Sequence, residues 1–266
     1  MPTSDVDGGD LLDRLRVEGV VKLGIAGEIP FGYIDRDGEF TGEAPEIAKV
    51  IFRRLGVERV QPVPPEFGSL IPGLRARQFD VVSAGMYVTP TRCAQVIFAD
   101  PDYQMRDAFI VANGNPKGLR GYEDIARTGA KMATGTGYAE IDYAVSAGVP
   151  RDSIRILPDQ LAGLLAVEQR RVDVFAGTSI TVQNVVRQTG STLVEATEPF
   201  QPMLDGKPAV GAGAFAFRPA ERNLRDAFNR ELHALRQSGE LLQIVRRFGF
   251  SEAEMTTLTA QELCVP

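Results

Sequence analysis

Histidine and cysteine, two residue types that often carry catalysis and metal binding, are scarce in this sequence. Its 266 residues include one histidine and two cysteines. The histidine, His233, lies in the helical run RNLRDAFNRELHALRQSG, where we expect a surface or packing role. One remote histidine and two cysteines cannot supply a Ser/His/Asp or Cys/His nucleophile set, nor by themselves a tetrahedral zinc site. We therefore expect no enzyme of these kinds, no metal and no cofactor.

The sequence also lacks a long apolar run and an excess of basic residues. No segment approaches the roughly 20 apolar residues that a membrane helix needs. The 35 acidic and 29 basic residues give a net charge of -6. Without a basic block, this charge argues against nucleic acid as a partner. The opening MPTSDVDGGD has no signal-peptide pattern, and because an export signal could have been removed, this leaves the compartment open.

The two cysteines lie far apart in the sequence, at Cys93 and Cys264. A disulfide between them would tie the C-terminal tail to the segment that follows Arg92, and disulfides are typical of exported proteins. The alternative is two unrelated thiols. We expect the disulfide, because a cysteine so close to the end of the chain has little packing reason to be there.

Strand-like and helix-like segments alternate along the chain, which predicts an α/β fold with mainly parallel sheets. The pattern begins with VVKLGIAG, APEIAKVIFRRLGV and FDVVSAG and repeats with AKMATGTG, LAGLLAVEQRR and VDVFAG. Two long strand-like segments, 107–112 and 211–217, could cross between two lobes. We expect a discontinuous first lobe from residues 10–110 and 213–266, and a second lobe from residues 111–212.

Two motifs place candidate ligand-binding residues at the ends of first-lobe elements. Glu28 and Phe31 in GEIPFGY follow the first strand, at the edge where open α/β sheets place their ligands. Phe67 in EFGSLIPGL stands just before a helix. The structural alternatives are a turn with a solvated glutamate, a partly buried phenylalanine, and a hydrophobic staple at Phe67.

A third motif, GMYVTPTRC, joins a cation to an aromatic residue. Arg92 offers a planar fork of donors that fits a carboxylate bidentately. Tyr87 beside it could hold a delocalised cation or an apolar ring, and Gly85 opens the turn. The alternative is a surface arginine with no ligand.

A fourth motif, ATGTGYAE, places small residues before a helix of the second lobe. Such a turn leaves backbone N–H groups free to bind an anion. Its spacing does not match the GxxxxGK[ST] of a phosphate loop. We expect Thr136 and Gly137 to meet a carboxylate or a hydrogen-bonded ring there.

Taken together, these segments resemble the amino-acid-binding type of solute-binding proteins of ABC importers, over roughly residues 14–250. The resemblance rests on the order and spacing of GVVKLGIAGEIPFGYIDRDGEFTGEAPEIAKVIFRRLGV, FGSLIPGLRARQFDVVSAGMYVTPTRCAQVIFADPDY and VEQRRVDVFAG. It implies the periplasmic-binding-protein fold, two α/β lobes with two crossover strands that close around a small solute. It also implies an extracytoplasmic monomer that serves an ABC permease, with Arg92 of the TPxR turn clamping the ligand carboxylate.

Two departures from that family bear on the ligand. Amino-acid binders usually carry Ser or Thr where this chain has Tyr87, and an Asp where VDVFAGTSIT has Gly177 and Thr178. An ammonium buried without that carboxylate would lose a major electrostatic partner. We therefore expect a ligand that keeps a carboxylate but lacks an ordinary α-ammonium, with Thr178 among its contacts.

The segments GEAPEIA, FGSLIPGL and GMYVTPTRC are similar to those of the ectoine and hydroxyectoine binders. Three aromatic residues complete the resemblance: Phe31, Phe67 and Tyr87. It implies that these rings enclose a cyclic amidinium, that Arg92 holds its carboxylate and that Glu28 meets its ring nitrogens. Thr136 would contribute from the second lobe, where Gly137 offers no side-chain amide.

Two alternatives remain open at the level of the sequence. Within binding proteins, the ligand could be another amino acid or a betaine. Among enzymes, cyclohexadienyl dehydratases use the same scaffold, and Glu28 could then act as the acid while Arg92 clamps the substrate.

Overall fold

The protein is described by a computed structural model that covers residues 10–265; residues 1–9 and 266, which include most of the opening MPTSDVDGGD and the predicted end of the first lobe, lie outside it. The helices of this range are α1 Leu11–Glu18, α2 Glu43–Arg54, α3 Leu70–Arg75, α4 Pro90–Cys93, α5 Tyr122–Thr128, α6 Glu140–Ser146, α7 Gln160–Glu168, α8 Ser179–Thr189, α9 Arg222–Gln237, α10 Glu240–Val245 and α11 Ala260–Leu263. None of these helices combines the length and the apolar character needed to cross a membrane.

The strands of the same range form two main sheets and two short hairpins. They are β1 Val20–Gly24, β2 Tyr33–Ile34, β3 Phe40–Thr41, β4 Arg59–Val63, β5 Val81–Tyr87, β6 Ile97–Phe98, β7 Tyr103–Met105, β8 Asp107–Ala112, β9 Met132–Gly135, β10 Arg155–Leu157, β11 Val174–Thr178, β12 Val194–Ala196, β13 Met203–Leu204, β14 Lys207–Pro208 and β15 Gly211–Phe217.

The first sheet has the order β4-β1-β5-β15-β6, and β7 also pairs with β15. Strand β1 runs parallel to both β4 and β5, and β15 runs antiparallel to β5. Parallel strands end at one edge of a sheet, so the segments that follow β1, β4 and β5 meet there. These segments contain the motifs GEIPFGY, EFGSLIPGL and GMYVTPTRC.

The second sheet has the order β10-β9-β11-β8-β12, with β9 parallel to both of its neighbours. Strand β8 is antiparallel to β11 and belongs wholly to this sheet, whereas β15 belongs to the first. The chain therefore crosses between the lobes just before each of the two predicted segments, ahead of β8 and ahead of β15. The α/β class with two joined lobes is confirmed. The domain limits at residues 110 and 213 stay a prediction, and strand pairing itself puts residues 107–110 with the second sheet.

Helix α2 holds one face of the first sheet and the loop that carries the candidate residues. Its apolar residues recur at helical spacing, and Ile47, Ile51 and Phe52 are fully buried. Burying each such side chain contributes about 1.5–3 kcal/mol. At the start of α2, the backbone N–H groups of Glu43 and Ala44 donate to the carbonyl oxygens of Pro30 and Phe31. The helix thereby fixes the GEIPFGY loop against the core.

The C-terminal helix α11 is fixed to the first lobe beside the arginine turn. The sulfurs of Cys93 and Cys264 are bonded, with 5.7 Å between their Cα atoms. Asp100 adds two contacts, accepting from the backbone N–H of Ala260 at 3.0 Å and lying 2.8 Å from Nε2 of His233. The single histidine therefore has a structural partner on its own lobe.

Candidate ligand-binding site between the lobes

The edges of the two sheets face one another and enclose a pocket with about 290 Å³ of free space. The first lobe contributes Glu28, Phe31, Phe67, Gly85, Tyr87 and Arg92. The second lobe contributes Tyr138, Ala139, Glu140 and Thr178. Seven of the nine residues predicted to bind ligand therefore lie on one pocket wall or the other.

Arg92 lies in the single turn α4 at the meeting point of the lobes. The Thr89 hydroxyl caps this turn by accepting from the Arg92 backbone N–H at 3.3 Å. The guanidinium donates from Nη1 to the carbonyl of Tyr87 at 2.7 Å and from Nη2 to the carbonyl of Gly137 at 2.9 Å. Burial lowers the pKa of Arg92, yet a guanidinium in a protein stays protonated. It has five N–H donors, so further donors remain for a carboxylate.

Phe31 packs against the first-lobe core in a space that exists only because residue 85 is glycine. Its ring stacks on Tyr103, with centroids 5.2 Å apart and planes 27° apart. Gly85 has a φ of +63°, and a Cβ built there would lie 2.4 Å from the Phe31 ring. Both the left-handed conformation and the close approach exclude other residues at this position. Gly85 lies within strand β5 rather than at the predicted turn, and it sets where the Phe31 ring meets the pocket.

Phe67 and Tyr87 complete the aromatic surface around the guanidinium. The Phe67 ring has its centroid 5.5 Å from Cζ of Arg92, a cation–π distance. Its other contact is with the second lobe, where the Tyr138 ring meets it edge-on at 5.2 Å. Tyr87 ends β5 and is buried. The three predicted rings thus line one pocket with Arg92. Phe31 and Tyr87 also pack into one hydrophobic core cluster, and Phe67 packs against another.

Glu28 joins the lobes through hydroxyl groups. The Tyr138 hydroxyl donates to Oε2 and the Thr181 hydroxyl donates to Oε1, each at 2.8 Å. Thr178 supports this arrangement by donating to Thr181 at 2.9 Å. Burial raises the pKa of Glu28, and the Thr181 and Tyr138 hydrogen bonds oppose that rise. Because both donors belong to the second lobe, these hydrogen bonds exist only when the lobes are together.

The second lobe also brings a carboxylate to the pocket. Glu140 is the first residue of α6 and is only 3% exposed, although its side chain lines the pocket. Burial and then the neighbouring charge of Asp107 raise its pKa well above the usual value, while Arg92 opposes this. Position 178 carries no acid, as the sequence shows, but the second lobe brings the carboxyl group of Glu140 to the pocket from a different element.

Behind Glu140 lies a second buried carboxyl, that of Asp107 at the start of β8. Tyr122 donates its hydroxyl to Oδ2 of Asp107 at 2.6 Å. Burial raises the pKa of Asp107 to about 7, and the hydrogen bond from Tyr122 opposes this. Among residues 10–265, Oδ1 of Asp107 and the hydroxyl of Tyr87 have no hydrogen-bond partner. In the same range, no group of three or more His, Cys, Asp or Glu side chains is placed to hold a metal ion.

Thr136 and Gly137 lie beside the pocket rather than on its wall. Gly137 has a φ of +75°, and a Cβ there would lie 3.1 Å from Cα of Gly68. The Thr136 methyl group packs against the same glycine. The geometry gives these residues a backbone contact between the lobes, through which Gly137 accepts from Arg92. A side-chain amide at position 137 would not fit there.

Three functional candidates were not singled out from the sequence. Tyr138 and Glu140 lie in the stretch ATGTGYAE, but the prediction for this stretch used only its small residues, Thr136 and Gly137. Thr181 lies in α8, a segment to which no role was assigned. The signal that could have identified Tyr138 and Glu140 is their position: a tyrosine and an acid stand at the start of a helix that follows a strand of the second sheet.

Two α/β lobes that close on a pocket built from both define a binding protein for a small solute. Residues 21–252 match the family of bacterial extracellular solute-binding proteins, family 3, so the chain belongs to that family. The predicted resemblance to ABC-importer binding proteins of the amino-acid type is confirmed, and with it the periplasmic-binding-protein fold.

Individual relatives agree with this assignment. The chain is 34% identical over 268 residues to a probable amino-acid ABC transporter periplasmic-binding protein, y4tE, of Sinorhizobium fredii, covering 98% of this chain and 88% of the relative. It is 28% identical over 220 residues to ABC transporter arginine-binding protein 1 of Escherichia coli, covering 81% and 84%. The crystal structure of EhuB in complex with hydroxyectoine superposes with a TM-score of 0.88 at 36% identity, covering 96% of this chain and 98% of EhuB.

Proposed function

We propose that this protein binds hydroxyectoine or ectoine outside the cytoplasm and delivers it to an ABC permease. The observation that carries the proposal is the union of three aromatic rings, one guanidinium and one carboxylate in a single inter-lobe pocket. The similarity to EhuB, whose complex contains hydroxyectoine, supports it. The solute in question is a flat cyclic amidinium that carries a carboxylate.

The carboxylate of the solute is assigned to Arg92. The guanidinium is oriented by the carbonyls of Tyr87 and Gly137, which use one N–H of each terminal nitrogen. The remaining donors present the planar fork that matches a carboxylate. Partial burial strengthens this interaction by lowering the local dielectric.

The amidinium ring is assigned to the space between the aromatic side chains. Phe67 and Tyr87 offer π faces to a delocalised cation, and Phe31 closes the first-lobe side. Glu28 accepts hydrogen bonds from two hydroxyls, but a carboxylate has about four lone-pair sites. It can therefore also accept N–H donors of the ring.

Closure of the lobes is the step that completes the site. Solute binds first to the first-lobe wall, and closure then adds Tyr138, Glu140 and Thr178 while excluding water. The hydrogen bonds of Glu28 to Tyr138 and Thr181 form in the same step. The differential affinity of the solute for the closed arrangement determines how far it shifts the population.

The wider biological setting belongs to the same proposal. The chain acts as a monomeric extracytoplasmic receptor without catalytic activity and without a nucleic-acid partner. Support comes from the relatives named as periplasmic or amino-acid-transport binding proteins. A test of the dehydratase alternative is incubation of the purified protein with prephenate and arogenate; turnover of either would contradict the assignment as a binding protein.

A cationic amino acid such as arginine is a second candidate, and one observation favours it. The pocket walls carry two carboxylates, Glu28 and Glu140, against the single guanidinium of Arg92. With both carboxylates ionised, a ligand of net charge +1 would balance the site. The similarity to the arginine-binding protein of Escherichia coli fits this reading.

Isothermal titration calorimetry on ligand-stripped protein separates these candidates. The solutes are hydroxyectoine, ectoine, L-arginine and glycine betaine at one pH and one salt concentration. We expect one-to-one binding of hydroxyectoine or ectoine, more tightly than of the other two. Tighter binding of L-arginine or glycine betaine would overturn the choice of solute.

A further inference from the structure

Glu140 is a buried carboxyl group of the pocket wall that no cation of the described residues pairs with directly. It is 3% exposed, and its side chain faces the pocket. Arg92 is the cation whose charge favours its ionised form, but among the described residues no hydrogen bond or ion pair joins the two side chains. A buried carboxyl is costly to ionise without a close cation, so a cationic ligand in the pocket is the group that would favour its charged form.

The groups that face Glu140 are also short of hydrogen-bond donors. Glu28, Asp107 and Arg92 are the charged or titratable carboxyl and guanidinium groups that act on it from other elements. Oδ1 of Asp107 has no partner in the described chain, and neither has the hydroxyl of Tyr87. Asp107 is fully buried and does not line the pocket itself, but it pairs across the sheet with Thr178, which does.

We propose that Glu140, supported by Asp107, receives the cationic N–H group of the ligand from the second lobe, so the site selects cations that carry N–H donors. These are amidinium, guanidinium and primary ammonium groups, and the excluded class is quaternary ammonium. The inference rests on the proposed function only in placing a zwitterionic or cationic solute in this pocket. It holds equally for hydroxyectoine and for L-arginine.

The chemical reason is the count of acceptors on the pocket walls. A quaternary ammonium binds to aromatic faces alone and has no N–H to donate. In this pocket it would leave the carboxylates of Glu28 and Glu140 without the donors that a desolvated acceptor requires. An N–H-bearing cation uses the same rings and also satisfies those oxygens.

The test compares Glu140→Gln with Asp142→Asn on the same helix. Asp142 is two residues further along α6, outside the pocket wall, and pairs with Arg151 at 2.9 Å. Both substitutions remove one carboxylate from α6, so they are matched in charge. Wild type and both variants are titrated with hydroxyectoine, L-arginine and glycine betaine in one buffer.

We expect Glu140→Gln to weaken the better-bound N–H ligand by about ten- to a hundredfold, as for loss of a hydrogen bond to a charged group. Its affinity for glycine betaine should change much less, so the ratio of the affinity for the N–H ligand to the affinity for glycine betaine should fall. Asp142→Asn should change each affinity by less than about twofold, as expected of a surface ion pair. Equal effects of the two substitutions would overturn the proposal.

The outcomes also separate this inference from the proposed function. If the wild-type protein does not bind hydroxyectoine but binds L-arginine, the proposed solute is wrong. The effect of Glu140→Gln on arginine affinity then still tests whether Glu140 receives the N–H cation. If wild type prefers glycine betaine, the selection of N–H donors is wrong.

A further readout needs no ligand. In ligand-stripped protein at pH 7.5, Glu140→Gln should raise the melting temperature relative to Asp142→Asn, because it removes a buried carboxyl that is unfavourable without a ligand. A lower melting temperature for Glu140→Gln would show a structural role and contradict the proposal, even if none of the three solutes binds.

Discussion

The two walls of the cleft present different chemical groups to the space between them. The first-lobe wall presents ring faces and a cation, with Phe67 and Tyr87 around Arg92. The second-lobe wall presents acceptors, with Glu140 and Thr178 facing the same space. Under the proposed function, a zwitterion would lie across the cleft with its acid end on the first lobe and its N–H edge reached from both walls. The first-lobe wall carries groups of both signs, Arg92 and Glu28, whereas the second-lobe wall carries only acceptors and hydroxyl groups.

The largest expected effect is on the first-lobe wall, through Arg92→Ala. We expect this substitution to weaken solute binding by about 2–5 kcal/mol, because a buried charge pair loses one partner. It also removes the guanidinium hydrogen bonds that join the carbonyls of Tyr87 and Gly137. Calorimetry with the wild-type ligand measures the loss. Arg75→Ala, an exposed change on α3, is the control and should leave affinity unchanged. Equal affinities of Arg92→Ala and wild type would refute the clamp.

The disulfide tests how firmly that wall is held. Replacing Cys93 and Cys264 together by serine should lower the free energy of unfolding by about 2–5 kcal/mol, because a cross-link between residues 171 apart in sequence is lost. Urea unfolding followed by circular dichroism gives the difference. Wild type under a reducing agent should reproduce the doubly substituted protein. An unchanged unfolding midpoint in both cases would contradict a stabilising role.

The first-lobe wall could be predicted from sequence because its residues lie next to the strand ends that position them. Arg92 follows β5 by five residues, inside a turn capped by Thr89. Strand alternation and the TPxR spacing therefore place it without knowledge of the other lobe. The same reasoning applies to Glu28 after β1.

The second-lobe wall could not be predicted in this way, because it depends on how the lobes meet. Periodicity indicates a helix after β9, but not that α6 begins at Glu140 and turns this side chain toward the pocket. Thr181 reaches Glu28 across 153 positions of sequence. The reason for Gly85 is equally non-local, since the ring that occupies its side-chain space belongs to Phe31.

Gly85→Ala probes this non-local contact. The new Cβ would lie 2.4 Å from the Phe31 ring, at a φ of +63°. We expect a loss of about 1–3 kcal/mol in stability and weaker ligand binding, because the ring must move. Gly190→Ala is matched, since its φ is also +63° and nothing lies within 4 Å of its Cβ. Differential scanning calorimetry should give a smaller loss for the control; equal losses would mean that the ring contact contributes nothing.

A further expected effect is the pH dependence that Asp107 of the second lobe imposes. Burial raises the pKa of Asp107 from 3.8 to about 7, so between these values this group binds more protons in the folded state than in the unfolded state. Its contribution to stability must then fall as pH rises from about 4 to 7 and level off above. Asp107→Asn keeps an acceptor for Tyr122 and should make this fall shallower in thermal unfolding across that range. An unchanged pH profile in Asp107→Asn would contradict the claim that Asp107 causes this pH dependence of stability.

The most direct test of the central claim is a crystal structure of the protein with hydroxyectoine. The measurement is the distance from the ligand carboxylate to the Arg92 guanidinium. We predict that the ligand carboxylate lies within about 3 Å of the Arg92 guanidinium nitrogens, with the ring between Phe67 and Tyr87. A ligand whose carboxylate instead faces the second-lobe wall, with its ring away from those side chains, would contradict the division of roles between the two lobes.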